Sequence, residues 1–363
     1  MRINLMDPAL RWAVGHHLDL DIGVARELRN AGHDVHVYSH RDIAPDARER
    51  MAAHARVSPL FQNSPYDDPL SADPVAGELI AFMDAARRVA DDLRSTRAAD
   101  FWIWPSLFAS QHYANVLANP RVPIAGCVHV EPAYLNSLGA LLWRFSFVEA
   151  RKHGAQIRTG AFEAMLCGQY MPLAGDGNFR QLPIPYDTIN RPEPKENLST
   201  VGFFGNQRNE KGVTLIQNLI PMLLDEGFRI VLHDSSGGSA GSGNDQLRIV
   251  LGFVEDLAAE IITCDLVVTP YDPGPYKTKG SAIVWSALAN GVPVVAPGGT
   301  ASGDLIIASG AGTVFDVYSA ESVFQAILDA RRDYAKISAG ARQAGRSWME
   351  AHGLGKYVAA MLA

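Results

Sequence analysis

The sequence has few cysteines and no excess of positive charge. Its three cysteines, Cys127, Cys167 and Cys264, lie far apart, and each sits in an apolar stretch. They form neither a C-x-x-C pair nor a metal-ligand spacing, so we expect buried free thiols in a reducing compartment. With 32 Lys and Arg against 39 Asp and Glu, the formal net charge is −7. This balance argues against a nucleic-acid-binding protein, because a polyphosphate backbone requires a broad basic surface.

Long apolar runs are also absent. No run approaches the roughly 18 consecutive apolar residues of a membrane-spanning helix. The first apolar run, after Arg2, is short and is broken by Asp7 and Pro8, whereas a signal peptide has a longer apolar segment. We therefore expect a cytoplasmic protein without a membrane-spanning helix.

The dinucleotide fingerprint G-x-G-x-x-G is missing from both halves of the chain, which disfavours a nicotinamide oxidoreductase. The first predicted βα turn instead carries Gly15, His16 and His17, before a helix predicted to begin at Leu18. Gly15 allows a ligand to approach the backbone closely, and the helix N-terminus favours anionic groups. The two adjacent histidines lack the i, i+4 spacing with which a helix presents two imidazoles to one metal ion.

Asp19 and Asp21 follow in the same predicted helix as a D-x-D string. Residues two apart point to different faces of a helix, so the pair does not predict a metal site. We instead expect both carboxylates to be solvated or to favour the positive end of the helix. No metal ion is expected in catalysis.

The chain has 363 residues and 47% apolar content, which is more than one core usually sustains and favours two domains. Short Val- and Ile-rich runs alternate with longer helical patterns throughout, as in βα units around a parallel sheet. Strands are predicted at 2–6, 33–39, 101–104, 122–130, 155–159, 200–205, 228–233 and 266–270, and helices at 18–31 and from about Val213. The fold class is therefore α/β.

A proline-rich segment separates the two halves. Four prolines in the segment 182–197 disfavour a helix and remove strand hydrogen-bond donors. We predict a first domain over 1–190, a second over 191–345 and a terminal helix over 346–363. The segment 234–245 is rich in Gly and Ser and predicts a loop.

One predicted strand ends at His129 and Glu131, within CVHVEP. Open α/β sheets bind ligands at the carboxyl ends of their strands. His129 can exchange a proton near neutral pH, and Glu131 can accept a proton from an acceptor hydroxyl. The alternative is a hydrogen-bonded structural histidine beside a solvated glutamate.

The segment 202–212, GFFGNQRNEKG, ends a strand in a glycine turn at Gly205. Arg208 and Lys211 follow where a helix begins, so two cations and a helix N-terminus predict a diphosphate site. A solvated basic turn is the alternative.

A second anion site is predicted in the segment 269–297. Gly280 and Ser281 stand where a helix begins, and Lys277 and Lys279 precede them. A diphosphate at this end would meet backbone N–H groups, the Ser281 hydroxyl and the lysine charges. Alternatively, Ser281 is only a helix cap and the lysines are solvated.

These two segments together resemble the GT-B glycosyltransferases, in particular the retaining family 4 enzymes, and the resemblance extends over nearly the whole chain. GFFGNQRNEKG is similar to the family's phosphate-binding turn, and LGFVEDL followed by CDLVVTPYD is similar to its base-binding turn and next strand. VGHHLDLDIGVARELRNAGHDVHVYS resembles its acceptor-side turn, helix and strand. PIAGCVHVEP places His129 where the family carries an active-site histidine.

The resemblance implies two facing Rossmann-like domains with parallel sheets and the active site in the interdomain cleft. Residues 1–190 would form the acceptor side, residues 191–345 the donor side, and a final helix within 346–363 would pack back on the first domain. It also implies a cytoplasmic hexosyltransferase of glycan biosynthesis that is retaining and metal-independent. Its nucleotide diphosphate sugar would be a substrate, so no cofactor is expected, and its acceptor would be a glycan, a lipid-linked molecule or a small molecule.

Residue roles follow from the same resemblance. Lys211 would contact the diphosphate, and His129 would lie near the transferred sugar, with Glu131 beside it. The implied donor site comprises Gly15, Gly205, Asn206, Arg208, Lys211, Val254, Tyr271, Lys277, Lys279, Gly280, Ser281 and Ser286.

The chain departs from the family at two places. The family's arginine after the glycine is Asn206 here, so Arg208 must take its place. The family's paired glutamates fall on Thr278 and Ser286, and a serine lacks the charge-assisted bond of a glutamate to the ribose.

Three alternatives stay open at this stage: a nucleotide-sugar epimerase or hydrolase, a non-catalytic GT-B-like binding subunit, and an inverting transferase that uses Glu131 or another base. The segment 132–152 mixes leucines and aromatics with Arg144, Arg151 and Lys152. It predicts either contact with a lipid-linked acceptor or membrane surface, or a core helix with a charged end.

Overall fold

The computed structural model describes residues 1–13, 16–66, 74–118, 121–134, 137–175, 177, 179–189, 195–205, 208–234, 245–252, 254 and 256–363. The chain divides into two compact units. Unit 1 comprises Met1–Pro185 and Leu354–Ala363, and unit 2 comprises Tyr186–Gly353. Unit 1 therefore ends five residues before the predicted 190, and the returning segment begins eight residues after the predicted 346.

Unit 1 is built on a seven-stranded parallel sheet in the order β3-β2-β1-β4-β5-β6-β7. Its strands are β1 (Arg2–Asp7), β2 (Asp34–His40), β3 (Arg56–Phe61), β4 (Phe101–Trp104), β5 (Ile124–Cys127), β6 (Ile157–Ala161) and β7 (Phe179–Gln181). Its first six helices are α1 (His16–Asn30), α2 (Pro45–Ala52), α3 (Pro74–Arg94), α4 (Ala109–Ala118), α5 (Gly139–Lys152) and α6 (Ala164–Ala174). The central strands β4 and β5 are buried throughout, as continuous apolar strands of a helix-covered parallel sheet are.

Unit 2 repeats this architecture with a six-stranded parallel sheet in the order β10-β9-β8-β11-β12-β13. Its strands are β8 (Thr200–Phe203), β9 (Arg229–Asp234), β10 (Leu247–Leu251), β11 (Leu266–Val268), β12 (Val294–Pro297) and β13 (Gly312–Phe315). Its helices are α7 (Val213–Asp225), α8 (Leu257–Ile261), α9 (Ala282–Ala289), α10 (Ala301–Ser309), α11 (Ala320–Arg332) and α12 (Tyr334–Ala351), with a 3₁₀ turn at Asn209–Lys211. The predicted α/β class with parallel sheets is confirmed.

The chain ends in α13 (Leu354–Leu362), which belongs to unit 1 and packs against α1 and β5. Tyr357 of α13 is fully buried there. Trp348, by contrast, belongs to α12 of unit 2, and its indole N–H donates to the Tyr186 carbonyl at 2.7 Å. The terminal segment is thus two helices assigned to different units rather than one.

Some of the predicted strand and helix limits agree with the structure, and others do not. The predicted strand 101–104 coincides with β4, and all three cysteines are buried and free, as expected. The predicted strand 122–130 was too long, because β5 ends at Cys127, and α1 begins at His16 rather than at Leu18. No helix in the described part of the chain is long and apolar enough to cross a membrane.

Candidate functional site

The first candidate site lies in unit 2, in the turn after β8. Gly205 has a φ of +107°, a backbone conformation that residues with a Cβ rarely adopt. A Cβ at this position would lie 3.2 Å from the Lys211 Nζ and 3.7 Å from the Tyr271 hydroxyl. Glycine therefore leaves room for the Lys211 ammonium beside the turn.

Gly212 fixes the backbone that carries Lys211. It has a φ of +78°, and a Cβ there would lie 2.0 Å from the Pro270 carbonyl oxygen. Only glycine allows the 3₁₀ turn to pack this closely against the segment after β11. The Asp272 N–H donates to the Glu210 carbonyl at 2.9 Å, which joins the same two segments.

Lys211 is a half-buried cation. Its Nζ lies 5.5 Å from the centre of the Tyr271 ring, within the range of a cation–π contact. Arg208 forms an ion pair with Glu210 at 3.2 Å, whereas no carboxylate of the described residues forms one with Lys211. Burial lowers the pKa of Lys211 to about 8, with the Arg208 charge acting in the same direction and Glu210 opposing it. A poorly solvated ammonium of this kind is stabilised by an arriving anion.

The N-terminus of α9 lies beside the same tyrosine. Ser281 is the predicted N-cap, and its Oγ accepts the Val284 N–H at 3.5 Å, which confirms the predicted helix start. The Ser281 hydroxyl also donates to the Tyr271 hydroxyl oxygen at 3.4 Å. Tyr271 therefore contacts both Lys211 and Ser281, so residues of the two predicted anion-binding segments, 202–212 and 269–297, share one site.

The remaining predicted donor residues differ in their placement. Lys279 is half-buried, with its Nζ 6.0 Å from the Tyr276 ring, and that ring packs on Tyr271 with centroids 4.5 Å apart. Lys277 is exposed, and its carbonyl accepts the Ala301 N–H at 2.9 Å. Ser286 is only 4% exposed within α9.

Gly280, Val254, Gly15 and Asn206 complete the predicted set. Gly280 directly precedes the Ser281 cap, and Val254 is half-buried in the segment after β10. Gly15 and Asn206 lie outside the described residues.

The second candidate site lies in unit 1 and centres on His17. Asp7 ends β1 and is 1% exposed, and its Oδ2 lies 2.7 Å from the His17 Nδ1. The other carboxylate oxygen accepts the Ala9 N–H at 2.8 Å. Burial alone would lower the pKa of His17, but the Asp7 charge and hydrogen bond outweigh burial and raise it. In the neutral imidazole, Nδ1–H then donates to Asp7, and Nε2 is the basic nitrogen.

The sequence signal for this pair was a histidine in the first turn of the helix that follows a strand ending in aspartate. The adjacent positions of His16 and His17 bear only on a shared metal ion, so they do not predict the pairing of His17 with Asp7. Such a carboxylate–imidazole pair is the arrangement that orients a general base.

Of the two environments predicted for Asp21, a solvated carboxylate or one that favours the positive end of the helix, the solvated one was wrong. Asp21 is fully buried, while the Asp19 side chain is 60% exposed and forms an ion pair with Arg50 at 3.2 Å. Burial raises the pKa of Asp21 well above its usual range, and the charge of the neighbouring Asp7 acts in the same direction. Both effects favour the protonated form of Asp21.

His129 lies in the segment after β5, and its Nε2–H donates to the Pro105 carbonyl at 2.6 Å. Burial lowers the pKa of His129 to about 4, although the bond to Pro105 opposes this effect. The charges of His17 and Asp7 also act on His129, so the structure brings these three residues together. His129 is therefore a neutral hydrogen-bond donor rather than a proton acceptor.

Glu131 is half-buried, two residues farther along. Its carbonyl accepts the Tyr134 N–H at 3.0 Å, and its charge raises the pKa of the already buried Tyr170. The Tyr170 hydroxyl donates to the Val130 carbonyl at 3.0 Å, which holds this segment in place. Within the described residues, no group of three or more histidine, cysteine or acidic side chains is arranged to hold a metal ion.

Neither a protein-family model nor a curated protein sequence matches the chain. Solved structures do match it over its whole length. A glycosyltransferase from Rickettsia africae is 12% identical with a TM-score of 0.71, covering 99% of this chain and 96% of that one. Anabaena Alr3699/HepE in complex with UDP is 14% identical with a TM-score of 0.69, covering 100% of this chain and 98% of that one. Sucrose-phosphate synthase from Thermosynechococcus elongatus is also 14% identical with a TM-score of 0.69, covering 99% of this chain and 97% of that one.

At these identities the likeness establishes the fold alone. The two parallel-sheet α/β units of this chain have the GT-B fold of those structures.

Proposed function

We propose that this protein transfers a sugar from a nucleoside diphosphate sugar to a hydroxyl acceptor. The observation that carries the proposal is Lys211, a half-buried cation beside the Gly205 turn and the Tyr271 ring. Two further observations support it. The GT-B fold is shared with glycosyltransferases, and Anabaena Alr3699/HepE, which has this fold, has been solved with UDP and with UDP-glucose.

The proposed donor site stabilises the leaving diphosphate. As the bond between the anomeric carbon and the donor oxygen breaks, negative charge accumulates on the diphosphate. Lys211 and Arg208 would offset this charge, together with Lys279 and the backbone N–H groups at the start of α9. This arrangement supports the metal-independent course implied by the sequence resemblance.

Retention of the anomeric configuration, implied by the same resemblance, is the first stereochemical candidate. In that course His129 positions the sugar through its neutral imidazole, and no protein base is required against the acceptor. Glu131 would then contact the sugar or the acceptor without taking a proton.

Inversion is the second candidate, and the His17–Asp7 pair favours it. The acceptor oxygen would form its bond to the anomeric carbon as the diphosphate leaves, and the acceptor proton would pass to the His17 Nε2. The Asp7 carboxylate would stabilise the resulting imidazolium, since it already lies 2.7 Å from the His17 Nδ1. NMR analysis of the product anomer distinguishes the two courses, because inversion and retention give opposite anomers.

The exposed apolar residues of α5 favour a lipid-linked acceptor. Leu142, Trp143 and Phe147 are buried in unit 1, whereas Leu141 and Val148 are 62% and 43% exposed. The exposed Arg144 and Lys152 supply positive charge near these residues. Transfer to a lipid-linked sugar acceptor that exceeds transfer to its delipidated form would support this assignment, and equal transfer would contradict it.

The proposed function is tested first by nucleotide binding. A ligand that binds the folded protein raises its melting temperature, so a thermal-shift screen with UDP, GDP, ADP, TDP and CMP should identify the donor nucleotide. Absence of any shift would favour a non-catalytic binding subunit instead. Incubation with the matching sugar nucleotide, with and without acceptors, then separates transfer from hydrolysis or epimerisation, which proceed without an acceptor.

A further inference from the structure

His233 connects two turns of the proposed donor site. It lies near the end of β9, the strand between β8 and β10, and is 7% exposed. Its Nδ1 accepts the Gly205 N–H at 3.3 Å, and its Nε2 lies 2.8 Å from the Gly252 carbonyl oxygen. One imidazole therefore bonds to the turn after β8 and to the turn after β10.

These two bonds define the protonation state of His233. A carbonyl oxygen can only accept, so Nε2 must carry the proton that is donated to Gly252. The Gly205 N–H can only donate, so Nδ1 must carry no proton in order to accept it. The arrangement requires a neutral imidazole, because a second proton on Nδ1 would face the Gly205 N–H and break that bond.

Both turns carry residues of the proposed donor site. The Gly205 turn borders the Lys211 ammonium, and Gly252 lies two residues before Val254 in the predicted base-binding turn. Since its N–H is bonded to His233, Gly205 contributes its conformation to the site rather than its amide. A shift of Gly205 would therefore move the backbone beside Lys211.

We propose that His233 is a positioning residue that holds the Gly205 turn and the Gly252 turn in the arrangement that binds the nucleoside diphosphate. Protonation of His233 then weakens nucleotide binding. This inference rests on the proposed function. Lys211 and Tyr271 border the Gly205 turn to which the imidazole bonds. Asp234 follows His233 at the end of β9, and the apolar Val250 of β10 pairs with His233 in the sheet.

Two substitutions separate the two bonds. In His233→Asn the amide oxygen replaces Nδ1 as the acceptor for Gly205, and in His233→Gln the amide nitrogen replaces Nε2 as the donor to Gly252. Neither side chain titrates. Calorimetric titration with UDP, GDP, ADP and TDP at about pH 7.5 and about pH 5.5 measures the affinity across the range in which histidines change charge.

At the higher pH we expect His233→Gln to bind the preferred nucleotide about tenfold more weakly than the wild type, since one hydrogen bond is lost. His233→Asn loses the bond to the Gly252 carbonyl instead, so it should bind about threefold to tenfold more weakly than the wild type. On acidification the wild type should lose at least about fivefold more affinity than His233→Asn. Protonation of the nucleotide phosphates and of Lys211 changes the affinity of all three proteins in the same way, so these changes cancel in the comparison.

Equal affinity of His233→Gln and wild type at the higher pH overturns the inference, as does equal acid sensitivity of wild type and His233→Asn. The proposed function is left standing in both cases. If the wild type binds none of the four nucleotides, the proposed function fails and this inference fails with it. Melting curves without nucleotide confirm that both variants are folded.

Discussion

The Asp7 Oδ2 lies 2.7 Å from the His17 Nδ1, and the Asp7 side chain is almost completely buried. This pair joins the last residue of β1 to the first turn of α1. Its geometry fixes the orientation of the imidazole and raises its basicity.

In the inverting course, in which His17 is the base, the pH dependence of transfer should reflect this pair. Burial lowers the pKa of His17, but the Asp7 charge outweighs burial and raises it, and a general base acts in its neutral form. We therefore expect kcat/KM to rise with pH through a pKa above about 6.5, the usual histidine value. In Asp7→Asn the charge is lost and burial dominates, so the rising limb should move to lower pH while the rate falls.

The control for this experiment is His153→Gln, which changes an exposed histidine at the end of α5. It should leave the pH profile unchanged. A rising limb that stays in place in Asp7→Asn, or a His17→Gln protein with wild-type kcat/KM, would contradict a base at His17.

Because of Asp21, the free energy of unfolding should fall as the pH rises. Its pKa is raised in the folded state, so between its unfolded and folded pKa the folded protein holds a proton that the unfolded chain has released. Stability therefore falls with pH in this window, and Asp21→Asn, which cannot ionise, should remove that dependence. We expect Asp21→Asn to be more stable than wild type near neutral pH, with a difference that shrinks toward about pH 4.

Chemical denaturation at several pH values measures this difference. Asp19→Asn is the matched control, since its carboxylate lies on the same helix but is mostly exposed and paired with Arg50. Its effect should stay below about 1 kcal/mol at all pH values. An Asp21→Asn protein that is destabilised equally at every pH would show that Asp21 is ionised in the folded state.

The sequence predicted those elements of the fold that carry a clear local signal, such as an apolar run or a helix cap. The continuous apolar run Phe101–Trp104 identified β4, and the capping serine Ser281 located the start of α9. By contrast, β5 was extended too far because Val128 and Val130 continue the apolar pattern after Cys127, where the strand ends.

Local signals also decided which residues of the candidate sites the sequence predicted. Lys211 and Ser281 were found because each stands in a recognisable turn. The burial of Asp21 could not be predicted, since α13 carries Tyr357, whose pKa burial and the charge of Asp21 both raise, and this helix lies more than 300 residues away in sequence. The His233–Gly205 bond likewise depends on how the turn after β8 folds beside the end of β9, which no residue pattern specifies.

Gly205→Ala should weaken nucleotide binding. The new Cβ would lie 3.2 Å from the Lys211 Nζ and would also strain a backbone at φ +107°. Gly227→Ala is the matched control, because Gly227 has a φ of +80° but nothing within 4 Å of a Cβ. Both variants should lose about 1–2 kcal/mol of stability, but only Gly205→Ala should lose nucleotide affinity. Equal nucleotide affinity of the two variants, measured by calorimetry, would contradict the placement of Lys211 beside the bound diphosphate.

Nucleotide binding should be accompanied by proton uptake near pH 8. Burial lowers the pKa of Lys211 to about 8, and a bound diphosphate favours the charged ammonium. Affinity should therefore fall as pH rises through this value. Calorimetry in buffers of different ionisation enthalpy measures the protons taken up, and Lys211→Met should abolish the uptake. If proton uptake persists in Lys211→Met, a group other than Lys211 takes up the proton.

The central claim is that Lys211 binds the diphosphate of a sugar nucleotide. The most direct measurement is the affinity of Lys211→Met for the nucleotide selected by the thermal-shift screen, compared with Lys336→Met, which removes an exposed lysine on α12 of the same unit. Loss of a charge-assisted bond should weaken binding by Lys211→Met by about tenfold to a hundredfold and reduce sugar transfer, while Lys336→Met should match the wild type. Wild-type affinity and transfer in Lys211→Met would contradict the claim.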